Sequence, residues 1–446
     1  MKISRRKMIL TSGAALAGSA FLHSAKKVQA KEILQAERRS ARPVWEQPPL
    51  TPGRDYTPVV TPDNVSLEYR IVKGAKVFHL IAEPVRHEFA PGLQANCWGY
   101  NGRVHGPTIE AVEGDRVRIY VTNHLPAPTT IHWHGALLPS GMDGVGGLNQ
   151  RVIRPGETFK YEWTFHQHGT LLYHSHHDEM TQMAMGLMGM LIIHPRNPRV
   201  IPRVERDFAL LLSEWFIHPG TERPDPNVME GFNILTFNAK AFPGTSPLVV
   251  RRGDRVRIRI GNLSAMSHHS IHLHGHFFRI AQTDGGCMPE GGQWPETTVI
   301  VPVGSTRTVE FVADNPGDWA MHCHMTHHVM NQMGHGIPNP VGMDTRGLDE
   351  RVQKILPAYM TMGDRGMDDH GEHVEMGHMA VPKNSIPMVG AWGPHDYITM
   401  GGMFTILKVR ERLESYDKDP GWHENPPGTQ ATHATPEELS RDGIRV

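Results

Sequence analysis

Residues 321–333 read Met-His-Cys-His-Met-Thr-His-His-Val-Met-Asn-Gln-Met, setting one thiol, four imidazoles and four thioethers in one short window. Soft sulfur donors beside imidazole select copper, and blue electron-transfer sites use two His, one Cys and a weak axial Met. Cys323, His328 and Met333 offer three of those four ligands. Neighbouring side chains of an extended strand point to opposite faces. With Cys323 turned towards one copper, His322 and His324 turn away from it towards a second site. Three consecutive residues thus spell an electron path between two metal sites.

The second site has candidates in three further His-X-His pairs: His132 and His134 in Ile-His-Trp-His-Gly, His174 and His176 in Tyr-His-Ser-His, and His272 and His274 in Ser-Ile-His-Leu-His-Gly-His. With His322 and His324 they make eight imidazoles in four pairs, each pair on one face of a strand. An isolated His-X-His is more often an ordinary surface or core couplet, because so short a pattern has many accidental matches. Four such pairs, the last enclosing a cysteine, reverse that balance.

With these motifs the chain resembles the multicopper oxidases over roughly residues 90–335. The resemblance implies a trinuclear cluster of one type-2 and two type-3 coppers fed by a type-1 blue copper, four ions per chain. His132 and His272 then fall to the type-2 ion, and His134, His174, His176, His274, His322 and His324 to the type-3 pair. The family's type-1 motif places a histidine three positions before the type-2 one, which is His269 here, although Ser270 replaces the usual proline. His328 and Met333 complete the set at five and ten residues beyond Cys323. The family also carries an acid eleven positions beyond the first histidine of His-Trp-His. Asp143 occupies that position and is implied as a proton donor for O2 reduction; the plainer reading is a turn aspartate before Gly144.

Such ligands need stiff strands to hold them, and the chain repeats a strand signal. Gly114-Asp-Arg-Val-Arg-Ile119 recurs as Gly253-Asp-Arg-Val-Arg-Ile258, and each copy leads into a His-X-His-Gly. Pro155-Gly-Glu-Thr158 is answered by Val303-Gly-Ser-Thr306, each preceding a second His-X-His. Alternating segments such as 116–121 and 255–260, with Gly, Pro and Asn between, read as antiparallel sandwich strands. The expected fold is all-β: two cupredoxin-like Greek-key sandwiches at residues 63–200 and 201–340, the second closed by a strand at 398–410. About ninety residues separate His176 from His269, too few for a further complete domain. This arrangement resembles the two-domain small laccases, whose resemblance implies a ring-shaped homotrimer in which the first domain of one chain meets the second of its neighbour. Ser175 stands where a blue site in the first domain would need Cys, so one type-1 copper is expected, in the second.

The main departure follows Met333. About sixty-five residues separate it from Met400-Gly-Gly-Met-Phe-Thr-Ile-Leu-Lys-Val409, the counterpart of Met185-Gly-Leu-Met-Gly-Met-Leu-Ile-Ile193 in the first domain. Met400 therefore competes with Met333 as axial ligand by strand context, whereas Met333 matches by spacing from Cys323 and is preferred. The insertion at 341–397 is rich in Met and His, a composition suited to Cu(I) and equally to adaptable apolar filler.

Elsewhere the sequence sets bounds. Lys plus Arg number 45 against 46 Asp plus Glu, which gives no hint of nucleic acid or an anionic membrane as partner. Thirty histidines and 24 methionines are the compositional outliers, and both types ligate copper. Residues 1–30 combine Ser4-Arg-Arg-Lys7, an apolar run and Val28-Gln-Ala30, and read as an export signal of twin-arginine type. A periplasmic or secreted oxidase follows, with no membrane span after signal removal. Residues 31–62 read as a Pro-rich arm and 411–446 as a mobile polar tail. Three cysteines exclude a disulfide framework, and whether Cys97 and Cys287 pair stays open. The activity implied is oxidation of a small-molecule or metal-ion donor (phenols, Cu(I) or another metal ion) with O2 as acceptor. The alternatives are a copper nitrite reductase and a copper-sequestering resistance protein.

Overall fold

The computed structural model describes residues 50–332, 347–357, 382–388 and 390–446. The expected export segment, Met333 and most of the Met/His-rich insertion lie outside the described residues.

Each copy of the repeat builds the same pair of strand neighbours. Arg116–Asn123 runs parallel to Ala75–Ala90 and antiparallel to Thr158–Thr164. Arg255–Asn262 runs parallel to Arg206–Trp215 and antiparallel to Thr306–Val312. Alternation turns Val117, Ile119 and Val121 inwards in one copy and Val256, Ile258 and Ile260 in the other, all at most 1 % exposed. Truncating one such side chain to Ala costs about 2–5 kcal/mol, because the packed core relaxes only partly around the void. Each strand is entered through a tight turn at Gly114 (φ 86°) or Gly253 (φ 88°), a left-handed conformation that a Cβ disfavours. The following aspartate locks the turn: Val112 N donates to Asp115 (2.9 Å) and Arg251 N to Asp254 (2.8 Å).

Facing sheets close each sandwich. In the first, Met188–His194 lies between Ile109–Val112 and Gly169–His174. In the second, the order is Leu248–Arg251, Phe404–Arg410, Gly317–Cys323, His269–Leu273, Thr298–Val301. Phe404–Arg410 thus supplies the closing strand on the far side of the insertion, antiparallel to the strand that carries Cys323. The all-β sandwich architecture expected from the sequence is the one observed; the described α-helices are six residues long, such as Glu179–Ala184.

The two sandwiches share an apolar seam. Leu172, Met190 and Ile192 of the first pack with Ala209, Leu211 and Leu263 of the second. Covered on both faces, Arg206–Trp215 loses the alternation of a half-exposed strand and is buried almost throughout. Buried Arg259 spans the seam, donating to Asp207 (2.7 and 2.9 Å) and to Thr170 Oγ1 (3.0 Å). The Pro-rich arm adds Val59–Val60 parallel to Asp207–Phe208. The start of the polar tail is fastened to the second sandwich: Tyr416 donates to Asp254 (2.9 Å), and His423 N to Asp318 (2.7 Å). Cys97 and Cys287 are both free thiols.

Candidate metal centres

In the second sandwich, strand register decides which ligands meet. Ile271 pairs with Cys323 and His272 with His322. Cross-strand partners share a face, so Ile271 and Cys323 point into the core, and His269, two residues before Ile271, joins them by the period of two. The chain then makes a short 3-10 turn, Thr326–Val329, that swings His328 back over Cys323. His328 Nδ1 lies 3.4 Å from the Cys323 sulfur, His269 Nδ1 3.7 Å from it, and the two ring nitrogens 3.1 Å apart. Their neighbours do not join: His268 is exposed and accepts the Val303 N–H at 3.0 Å, and His327 is exposed.

These three donors suit a thiophilic cation. His269 Nε2 is 2.7 Å from Ser264 Oγ. With that nitrogen donating to the hydroxyl, Nδ1 is left as a bare acceptor aimed at the sulfur and the other ring. Burial pushes His269 down to about 3, assisted by His328 and His268, and burial also lowers His328. Both imidazoles are therefore in the neutral form that binds metal. Burial raises the Cys323 thiol, so a metal must displace its proton on binding. Met400 packs with Phe242, Phe404 and Ile406. Phe404 pairs with His322, so this cluster is on the sheet face opposite Cys323.

Outside that core the eight histidines of the four His-X-His pairs form two matching groups. In the first sandwich, the ring centroid of His132 lies 5.6, 5.4 and 5.5 Å from those of His134, His174 and His176. In the second, His272 lies 4.7, 5.7 and 5.4 Å from His274, His322 and His324. His134 Nδ1 approaches His174 Nε2 at 3.3 Å, and His274 Nε2 approaches His322 Nε2 at 3.2 Å. His174 and His322 each turn Nδ1 to the carbonyl of the next residue, at 2.8 and 2.9 Å, which frees Nε2 to face its neighbours. Burial drives His174 down to about 3 and lowers His134, His274 and His322.

Asp143 lies beside the first group. His132 Nδ1 donates to its carbonyl at 2.9 Å, and its carboxylate stands 3.4 Å from the same nitrogen. The glycine that follows is needed for this approach, since a Cβ at Gly144 would lie 1.6 Å from the Ile131 carbonyl oxygen.

Ligand atoms of His132, His134 and His174 all lie within 4.8 Å of one another, as do those of His269, Cys323 and His328. Among the described residues no such group joins imidazoles of both sandwiches. His274 and His324 are exposed, whereas His134 is half-buried near Gly304 of the second sandwich. The sequence reading missed Ser264 and Glu179. Glu179 places its carboxylate 3.3 Å from His174 and 3.9 Å from His176. Aligning the two repeats would have singled out Ser264; Glu179 has no local motif.

Family models described as multicopper oxidase match residues 82–198 and 218–342, together more than half of the chain. Among curated relatives, a probable nitrite reductase–hydroxylamine oxidoreductase fusion protein of Kuenenia stuttgartiensis is 29% identical over 274 residues, 58% of this chain and 31% of that protein. Copper resistance protein A of Escherichia coli is 26% identical over 356 residues, 67% of this chain and 56% of that protein. The chain thus spans between about a third and just over half of the length of these relatives. Among solved structures, the blue copper oxidase of Nitrosomonas europaea aligns with a TM-score of 0.55 at 27% identity, covering 78% of this chain and 96% of that one.

Proposed function

The chain belongs to the multicopper oxidase family, and from that membership we propose that it oxidises a donor one electron at a time and reduces O2 to water. Bound copper supplies the redox chemistry, as one type-1 ion and a cluster of one type-2 and two type-3 ions. His269, Cys323 and His328 would hold the first, and Met333 is proposed as a further ligand from its spacing to Cys323. His132 and His272 would hold the type-2 ion, and His134, His174, His176, His274, His322 and His324 the type-3 pair. The observation that carries the reading is the position of Cys323: its side chain meets two imidazoles in the core, and its chain neighbours His322 and His324 lie in the outer group. Asp143 delivers protons beside His132.

Half of the cluster ligands stand on each sandwich, and His274 and His324 are exposed. This supports a cluster completed between copies, in a closed head-to-tail homotrimer. The signal-like residues 1–30 support a periplasmic or secreted location, and no helix among the described residues is long and apolar enough to cross a membrane. For the donor we propose phenols, Cu(I) or another metal ion, with Cu(I) favoured by the thioethers and imidazoles of the insertion. A nitrite reductase would carry its type-1 Cys in the first domain, where Ser175 stands, and a sequestering protein has no use for the Cys323 path.

Oxygen uptake by the copper-loaded protein, with each donor in turn, tests the proposal. Four coppers per chain, an intense blue colour and donor-dependent uptake are expected. A colourless copper-loaded protein that consumes no O2 with any donor would overturn it.

A further inference from the structure

The turn that delivers His269 is built twice in this chain, and only one copy ends in a type-1 ligand. In the first sandwich Asn123 ties it: Leu125 N donates to Oδ1 (2.8 Å), and Nδ2 donates to the carbonyls of Ala127 (2.9 Å) and Ile153 (2.8 Å). In the second sandwich Asn262 does the same with Ser264 N (2.9 Å) and the carbonyls of Ser267 (3.0 Å) and Val301 (2.9 Å). The tied carbonyl is four residues on in one copy and five in the other, so the ligand-bearing turn is one residue longer.

The longer turn is itself exposed at Ala265, Met266 and His268, so its N–H groups could all be left to water. Glu214 takes two of them. Its Oε1 accepts from Met266 N (2.5 Å) and Ser267 N (3.0 Å), the side chain is about 5 % exposed, and Oε2 has no hydrogen-bond partner among the described residues. Strand register supplies an internal control. Leu212 pairs with Asn262 and Ala82 with Asn123, so Glu214 corresponds to Pro84, which has no acceptor side chain. Burying a carboxylate with one oxygen unpaired is costly. It occurs in the copy whose turn must hold a ligand and not in the copy that has none.

From this we infer that Glu214 is a positioning residue for the type-1 centre, a role that rests on the functional reading above. It fixes the turn at Met266 and Ser267, and the turn in turn fixes Ser264 Oγ against His269 Nε2 (2.7 Å) and so the direction of His269 Nδ1. Ser264 is the partner one step removed from the ligand, a class whose loss typically costs about 10–100-fold in affinity or activity, and Glu214 acts through it.

The test compares copper-loaded wild type with Glu214→Leu and Glu214→Gln. In Glu214→Leu the two N–H groups have no acceptor. The expected result is a changed type-1 electron paramagnetic resonance signature and about tenfold or greater loss of kcat, with the cluster coppers retained. Glu214→Gln keeps an acceptor oxygen for the two N–H groups and should keep the blue signature and most of kcat. Glu214→Ala, which also removes the acceptor, decides the matter if Glu214→Leu does not fold. A blue wild type whose Glu214→Leu signature, or failing that whose Glu214→Ala signature, is unchanged overturns this inference alone. A wild type with no copper–thiolate band overturns the functional reading itself.

Discussion

Where the second sandwich brings together His269, Cys323 and His328, the first brings together Thr129, Ser175 and Gln182. Ser175 and Thr129 both donate to Gln182 Oε1, at 2.5 and 2.7 Å, and Gln182 Nε2 donates to the Pro128 carbonyl at 2.8 Å. That buried set is satisfied from within and needs nothing more. In the second sandwich, two ring nitrogens and a sulfur converge within 3.7 Å of one another, an arrangement that suits a thiophilic cation. The same backbone carries both, and around it the outer imidazoles keep the same spacing. Thus the difference between a filled core and the proposed metal centre lies in three side chains, with Ser264 hydrogen-bonded behind His269.

The largest effect should come from breaking the second triad. Cys323→Ser is expected to abolish the blue colour and reduce donor oxidation to background while the remaining coppers stay bound. Visible absorption, copper content and oxygen uptake measure this together. The reciprocal change, Ser175→Cys, should not create a second blue centre, because Thr129 and Gln182 offer no imidazole. A bleached Cys323→Ser protein oxidising donors at the wild-type rate would remove the proposed electron path.

A second effect concerns the two imidazole groups, which the comparison treats as halves of one cluster. His132→Ala/His134→Ala and His272→Ala/His274→Ala chains should each be inactive alone. Unfolded together and reassembled with copper in equal amounts, they should recover about a quarter of wild-type activity. That is the chance that neighbours in a randomly mixed head-to-tail ring pair one intact group with the other. Sedimentation of the wild type should give a trimer. No recovery, with an active monomer, would place the complete cluster inside one chain.

Much of this was legible because period-2 alternation and motif spacing are local. The repeated Gly-Asp-Arg-Val-Arg-Ile gave the strands, and His-Cys-His gave the opposed faces of Gly317–Cys323. What the sequence hides is set by distant partners. Glu214 lies 52 residues from the Met266 N–H it accepts, and the filled core around Ser175 depends on Gln182, whose type has no metal-site meaning. The return of the insertion was equally silent. Asn384 pairs with Gln94 N and O (2.7 and 2.8 Å), Ile386 N donates to Gln332 (2.7 Å), and Asn331 N to the Met388 carbonyl (2.6 Å). Asn331 and Gln332 follow His328 within four residues, so this end of the insertion braces the loop that carries His328.

That bracing sharpens a smaller prediction about the donor. Removing residues 358–381, which hold Met360, Met362, Met367, Met376, Met379, His370, His373 and His378, keeps the anchors at Asn384, Ile386 and Met388. Joined by a short linker, this variant should stay blue, oxidise Cu(I) several-fold more slowly and oxidise phenols unchanged or faster. A deletion extended over 343–395 also strips Ile386 and Met388 from the core and should weaken the blue site itself. Unaltered Cu(I) turnover in the shorter deletion would show that the insertion does not capture the donor.

The smallest predicted effect separates the seam from the metal sites by its pH dependence. His87 and His105 of the first sandwich bond across to the second, His87 Nε2 to the Ala239 carbonyl (2.6 Å) and His105 Nε2 to Ser213 Oγ (2.8 Å). Burial pushes His87 down to about 4 and His105 down to about 3. Both stay neutral in the folded chain at a pH where the unfolded chain protonates them, so the unfolded state binds more protons. Their contribution is complete above about pH 6.5 and is lost as the pH falls from there towards 4 and then 3, by at most about 1.4 kcal/mol per unit for each residue. In copper-free protein, urea midpoints should therefore fall more steeply between pH 6.5 and 4.5 for the wild type than for His87→Gln/His105→Gln. Copper-free protein is required because proton competition at the ligand histidines adds its own slope when metal is bound. Equal slopes would mean that both rings reach water when the chain is folded, and that the seam opens more readily than its burial implies.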